Sequence, residues 1–183
     1  WKKAFYENHA YLQLGTFVTW RLSFDWEKYL DDFFEELEAK NIQNLIIDIR
    51  GNEGGLTDAT NYLIKKLSKH KGETVFRKPH LAYKKVSDHI RPHISTWSKR
   101  FYNVSTWTKK MNENYRTIRF SANKAKRIKK NKKAFSGQTY LLVDESNSSA
   151  TFILAEVCKK NNFGTLVGTE TGGTKKGITA GQI

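Results

Sequence analysis

Two short apolar runs, Asn44-Leu-Ile-Ile-Asp-Ile49 and Gln138-Thr-Tyr-Leu-Leu-Val143, constrain this chain more than any other feature. Each is too short for a typical helix and too continuous for a strand with one wet face, so each reads as a strand covered on both faces. Each also runs straight into a loop of small residues, Arg50-Gly-Asn-Glu-Gly-Gly55 and Asp144-Glu-Ser-Asn-Ser-Ser149, that opens a helix. A buried strand, a tight loop and a helix, occurring twice, predict an α/β fold.

The remaining core elements fit around that pair. Residues 10–17 alternate as a strand with Gly15 as a bulge. Ser23 or Asp25 can cap a helix in which Trp26, Tyr29, Leu30, Phe33, Phe34 and Leu37 recur at intervals of three and four. A second helix is expected over 57–67, a third over 150–160 and a strand over 163–168. With 183 residues, 38% of them hydrophobic, such a chain can bury a core without a disulfide or a structural metal. Its one cysteine, Cys158, excludes an intramolecular disulfide and any CxxC site. Cys158 lies on the apolar side of the third helix with Ile153, Leu154 and Val157, so it is expected in the core. No apolar stretch approaches the ~18 residues that span a bilayer, and no transmembrane segment is expected in this chain. The start at Trp1 and the strand-like Gly181-Gln-Ile183 suggest a core, residues 1–74 and 135–183, truncated at both ends.

Charge is concentrated in one stretch. The net charge is +14, but residues 65–133 hold 22 lysines and arginines against three acids, and the rest of the chain is mildly acidic. We expect residues 75–134 to form a basic, partly helical insertion or lid, with helix-like pieces at 86–90 and 96–101 and the run Lys124-Ala-Lys-Arg-Ile-Lys-Lys-Asn-Lys-Lys133. Its lysines alternate with Trp97, Phe101, Tyr102, Trp107, Tyr115 and Phe120, a composition shared with proteins that stack single-stranded nucleic acid. A solvated lid is the plainer reading. A surface for nucleic acid, for acidic peptides or for an anionic envelope through Lys124 to Lys133 stays open.

Chemistry is expected where the small-residue loops gather at the carboxyl edge of the sheet. Glycine lets backbone approach a ligand, and free N–H groups at a helix start favour negative charge. A serine in the first turn after a buried strand can be presented as a nucleophile, and the same residue type is a common helix cap. His89 and His93 have the spacing of metal ligands, but Pro92 separates them and Ile90 stands where a zincin has its glutamate, so no metal site is expected. His9 is expected at the surface.

Four segments together resemble the C-terminal-processing (tail-specific) serine peptidase family, which includes the tricorn core. They are Tyr11-Leu-Gln-Leu-Gly15, Leu45-Ile-Ile-Asp-Ile-Arg-Gly-Asn-Glu-Gly-Gly55, Leu141-Leu-Val-Asp-Glu-Ser-Asn-Ser-Ser-Ala-Thr151 and Leu166-Val-Gly-Thr-Glu-Thr-Gly-Gly173. The resemblance implies a crotonase-like or Clp-like core of ββα units and no cofactor. It further implies a peptide or unfolded-protein substrate cut near its C-terminus, and an exported or envelope-associated protein. It places the nucleophile at Ser149, the oxyanion donors at Ala150 with Gly54 or Gly55, and supporting roles at Asp48 and Arg50. The general base departs from the family. The lysine of the tail-specific branch aligns with Lys176 only across a two-residue insertion, because Thr174 follows Gly173 and is itself followed by Lys175. The tricorn branch has a histidine on the first strand, where this chain has Gln13. Phe152 stands where the family often has glutamate. A peptide-binding relative that has lost its base is therefore the alternative within the family, and a nucleic-acid-binding module is the alternative outside it.

Overall fold

The structure is a computed structural model that describes residues 1–75, 80–96, 98–120, 125–173 and 181–182. In chain order its strands are β1 (Lys2–Phe5), β2 (His9–Gln13), β3 (Asn44–Asp48), β4 (Gly72–Glu73), β5 (Ser95–Thr96), β6 (Thr108–Lys110), β7 (Arg116–Ile118), β8 (Arg127–Ile128), β9 (Gln138–Val143), β10 (Thr165–Gly168) and β11 (Gly181–Gln182). Its α-helices are α1 (Trp26–Ala39), α2 (Thr57–Leu67) and α3 (Ser149–Asn161). The chain divides into two units, Trp1–Val75 with Lys126–Thr174, and Phe76–Ala125 with Lys175–Ile183.

The first unit is a mixed α/β layer built on one sheet of order β1-β2-β3-β9-β10. β1 and β2 form an antiparallel pair, while β2, β3, β9 and β10 run parallel. The register aligns Leu12, Ile47 and Leu141 in one row and Ala10, Leu45 and Thr139 in the next. Those six side chains are buried, whereas Ile46, Tyr140 and Leu142 on the opposite face are only half-buried. The central strands are thus fully covered on one face rather than both. One apolar cluster joins that face to Leu30, Phe33 and Leu37 of α1, Leu63 and Leu67 of α2, and Leu154 and Val157 of α3. Three amphipathic helices share that single core.

Asp25, not Ser23, caps α1, its Oδ1 accepting from the Lys28 amide at 3.0 Å. β1 is an element the sequence pattern hides. Lys2 and Lys3 break the apolar signal because this is an edge strand, where exposed lysines discourage pairing with other chains. The lysine-rich stretch after residue 125 lies with this unit. β8 pairs with β4, and the Asn131 side chain donates to the Lys65 carbonyl near the end of α2.

The second unit has two short antiparallel pairs, β5 with β11 and β6 with β7. Where helical pieces were expected at 86–90 and 96–101, the chain forms 3₁₀ turns at Arg91–His93 and Lys99–Tyr102. Pro92 removes a backbone donor, and neither piece carries an apolar stripe long enough to sustain an α-helix. Val104 is the one fully buried apolar side chain among the described residues of this unit. Polar bonds fix its interior, with the Arg116 guanidinium donating to Thr108 Oγ1 at 2.7 Å.

Candidate active site

Because four strands are parallel, the segments leaving Gln13, Asp48, Val143 and Gly168 emerge at one edge of the sheet. Two of them meet in detail. A methyl group built on Gly54 would lie 2.9 Å from the Ser148 carbonyl oxygen, 3.0 Å from the Ala150 nitrogen and 3.0 Å from Ser149 Cβ. The glycine loop therefore sits directly against the start of α3, and the missing side chain is what permits the approach. Gly55 is as tightly placed, since a methyl there would fall 2.1 Å from the Phe17 carbonyl carbon.

The turn treats its two adjacent serines differently. Ser148 Oγ donates to the Glu53 carbonyl at 2.7 Å and is consumed in holding the loops together. Ser149 is half-buried, and its hydroxyl has no hydrogen-bond partner among the described residues. Ser149 also has φ of +48°, a left-handed conformation that a non-glycine residue adopts at a cost of about 1–3 kcal/mol. A strained residue at a strand-to-helix turn, with its side chain free, is how a nucleophile is held proud of its backbone.

Amide donors converge nearby. The Gly54 N–H is taken by Asn52 Oδ1 at 2.9 Å, so it is not free for a ligand. Among the described residues no acceptor takes the amides of Gly55 and Ala150. Of the three amides that the resemblance singled out, Gly54's is thus the one already engaged.

Asp48, 1% exposed, ends β3 behind this loop. Its carboxylate accepts from Arg50 Nε at 2.9 Å, Arg50 Nη2 at 2.8 Å, the Arg50 amide at 3.0 Å and Tyr11 Oη at 2.6 Å. Burial pushes the Asp48 pKa up, but the bonds from Arg50 and Tyr11 outweigh it and hold the carboxyl below its ordinary value. The carboxylate in turn raises the Arg50 pKa, so the pair is ionised at any physiological pH. The ion pair braces the end of the strand against the first residues of the loop.

Three further side chains tie the loops together and were missed at the sequence level. Asn52, Asn147 and Thr151 are each 0% exposed. Asn52 Nδ2 donates to the Leu14 carbonyl at 2.7 Å, Asn147 Nδ2 to the Ile49 and Asn52 carbonyls at 2.5 and 3.1 Å, and Thr151 Oγ1 to the Asn52 carbonyl at 2.9 Å. A polar residue in a loop reads as solvated. The available signal was an asparagine inside each of the two small-residue loops.

Comparison with known proteins decides the family. The model of Peptidase family S41 matches residues 8–181. The chain belongs to peptidase family S41. No curated protein matches it. Among solved structures, the photosystem II D1 C-terminal processing protease aligns with 21% identity and a TM-score of 0.55, over 89% of this chain and 31% of that one. Mature CPAF aligns with 16% identity and a TM-score of 0.57, over 89% of this chain and 37% of that one. The chain spans about a third of the length of these structures, and at such identity the likeness is one of fold.

Within this S41 chain the remaining sequence-level candidates separate by position. Gln13 closes β2 and pairs in register with Asp48 at the site edge. Lys175 and Lys176 lie outside the described residues. His9 starts β2 at the opposite end of the strand, stacked on Tyr6 with ring centroids 4.4 Å apart. Cys158 is 1% exposed in the core, and burial pushes its thiol up to about 12, which leaves it protonated and inert. Phe152 packs against the segment after β10, where a methyl on Gly173 would lie 2.4 Å from its ring.

Proposed function

We propose that the protein is a serine endopeptidase that cuts peptide or unfolded-protein substrates near their C-termini. In this reading Ser149 Oγ attacks the scissile carbonyl while a base takes its proton. The C–N bond then breaks, the amine leaves with a proton, and water releases the acyl group from the serine. The amides of Gly55 and Ala150 receive the oxyanion, where losing one donor typically costs about 3 kcal/mol of transition-state stabilisation. Asp48 and Arg50 hold the loop that carries Gly55. Lys176 is the base, by its alignment with the lysine of the tail-specific branch. An exposed lysine has a pKa of about 10.4, so this role requires burial or a cationic neighbour such as Lys175.

The observation that carries the reading is the contrast at the turn. Among the described residues Ser149 is strained and has no hydrogen-bond partner, the Gly55 and Ala150 amides near it have no acceptor, and Ser148 is bound to Glu53. Membership of family S41 supports the reaction class. The order β1, β2, α1 at the start of the sheet supports a crotonase-like array of ββα units. The clustering of Phe76–Ala125 apart from Trp1–Val75 and Lys126–Thr174, in a unit that also takes in Lys175–Ile183, supports treating that stretch as an insertion into the peptidase core. Within it, Phe101 and Trp107 pack edge to face at 5.7 Å and Arg91 lies over Tyr102 at 4.7 Å, so these aromatics are already engaged by the protein itself.

Hydrolysis of an unfolded protein substrate tests the proposal. Ser149→Ala should lower the rate by about 10⁴-fold or more, the order seen when a serine nucleophile is removed, while Ser148→Ala should stay within about tenfold of wild type. Undiminished cleavage by Ser149→Ala would rule the assignment out.

A further inference from the structure

We propose that Asn147 is a positioning residue, one that fixes the Ser149 turn against the oxyanion loop and against the segment leading to Gly173. The inference rests on the serine peptidase reading and adds to it a residue that touches neither substrate nor nucleophile. Asn147 is wholly buried two positions before Ser149. Its Nδ2 donates to the Ile49 carbonyl at 2.5 Å and the Asn52 carbonyl at 3.1 Å, its Oδ1 accepts from the Asp144 amide at 2.9 Å, and its own carbonyl accepts from the Gly173 amide at 2.9 Å. One residue thereby binds three of the four loops at the carboxyl edge.

The chemistry admits few substitutes. Two donors and an acceptor on a stem of one carbon are found together only in asparagine, since an ionised aspartate offers no donor and serine offers one. A buried amide left without partners is unfavourable, so the loops reach a low free energy only when they satisfy it. The two carbonyls it holds, Ile49 and Asn52, bracket the segment that leads into Gly54 and Gly55. Thr151 Oγ1 adds a second bond to the same Asn52 carbonyl from the first turn of α3. Nucleophile turn and oxyanion loop are therefore locked at the two residues flanking Ser149 by two positions. A displacement of about 1 Å at such a site can slow a reaction about 100-fold.

The test is inactivation by a fluorophosphonate, with the maximal rate constant separated from the half-saturating probe concentration, alongside amide hydrogen exchange. Asn147→Asp should lower the maximal rate constant about 10- to 100-fold at pH 8 and leave half-saturation within about threefold. Protonation of that aspartate restores one donor, so the ratio of variant to wild type should recover towards pH 5, which a loss of global stability would not produce. Thr151→Val, nearly isosteric, should lower the rate constant several-fold and guards against misfolding of the first variant. In Asn147→Asp the Gly51, Asn52 and Gly54 amides should exchange at least about tenfold faster, with those of β9 unchanged. Normal rate constants and normal exchange in both variants would overturn the proposal, as would acceleration spread evenly over the sheet. If wild type takes no label, the peptidase reading fails and the exchange arm alone decides. Local acceleration would then uphold the locking role, and its absence would overturn it.

Discussion

Ser149 is held in a backbone conformation that glycine would adopt without strain, and it keeps its side chain there with no hydrogen bond among the described residues. Strain of this kind persists where the surroundings over-determine it, and here Gly54 presses on the turn from one side and the α3 helix fixes the other. Ser149→Gly should therefore raise stability by about 1 kcal/mol, or about 2–4 °C in thermal midpoint for a chain of this size, while abolishing reaction with a serine probe. A midpoint that falls would show that the turn is not strained. At this scale the sequence exposed the residues that carry a family pattern, Ser149, Arg50 and Asp48. It hid Asn52, Asn147 and Thr151, because polarity says nothing about burial until the partners are known. It also did not indicate that Gly54, of the two adjacent glycines, has its amide already engaged by Asn52.

β3 and its loop act as one element, since the carboxylate that ends the strand holds the first loop residue by backbone and side chain together. The folded Asp48 pKa lies below its unfolded value of about 3.9. Such a group contributes stability that is fully present above that value and is lost as pH falls through the folded pKa. Asp48→Asn should consequently destabilise the protein by about 1–3 kcal/mol at pH 7, and the gap to wild type should narrow in urea unfolding near pH 3. A gap independent of pH would mean that the Arg50 brace carries no net stability. Elements with an uninterrupted apolar signal were legible in full. α2 and β9 have the bounds that the periodicity predicts, because apolar residues at fixed spacing have one way to be buried. β1 was illegible because an edge strand is selected for charge, and 86–101 misled because short apolar clusters around a proline suit turns as well as helices.

For the whole unit of Trp1–Val75 and Lys126–Thr174, the direction of the strands does the work of assembling the site. Four parallel strands deliver four loops to one edge, so segments some ninety residues apart, such as Glu53 and Ser148, come into hydrogen-bond contact. That convergence was foreseeable from two strand-loop-helix repeats. The covering of only one sheet face was not, since leucine and isoleucine fill a half-covered face as readily as a fully covered one. On the proposed function, this convergence presents Ser149, and not its neighbour, to an electrophile. Peptide mass mapping after fluorophosphonate treatment tests it most directly. A single adduct is expected on Ser149, absent from Ser149→Ala and retained in Ser148→Ala. An adduct on Ser148, or none on either serine of the folded protein, would contradict it.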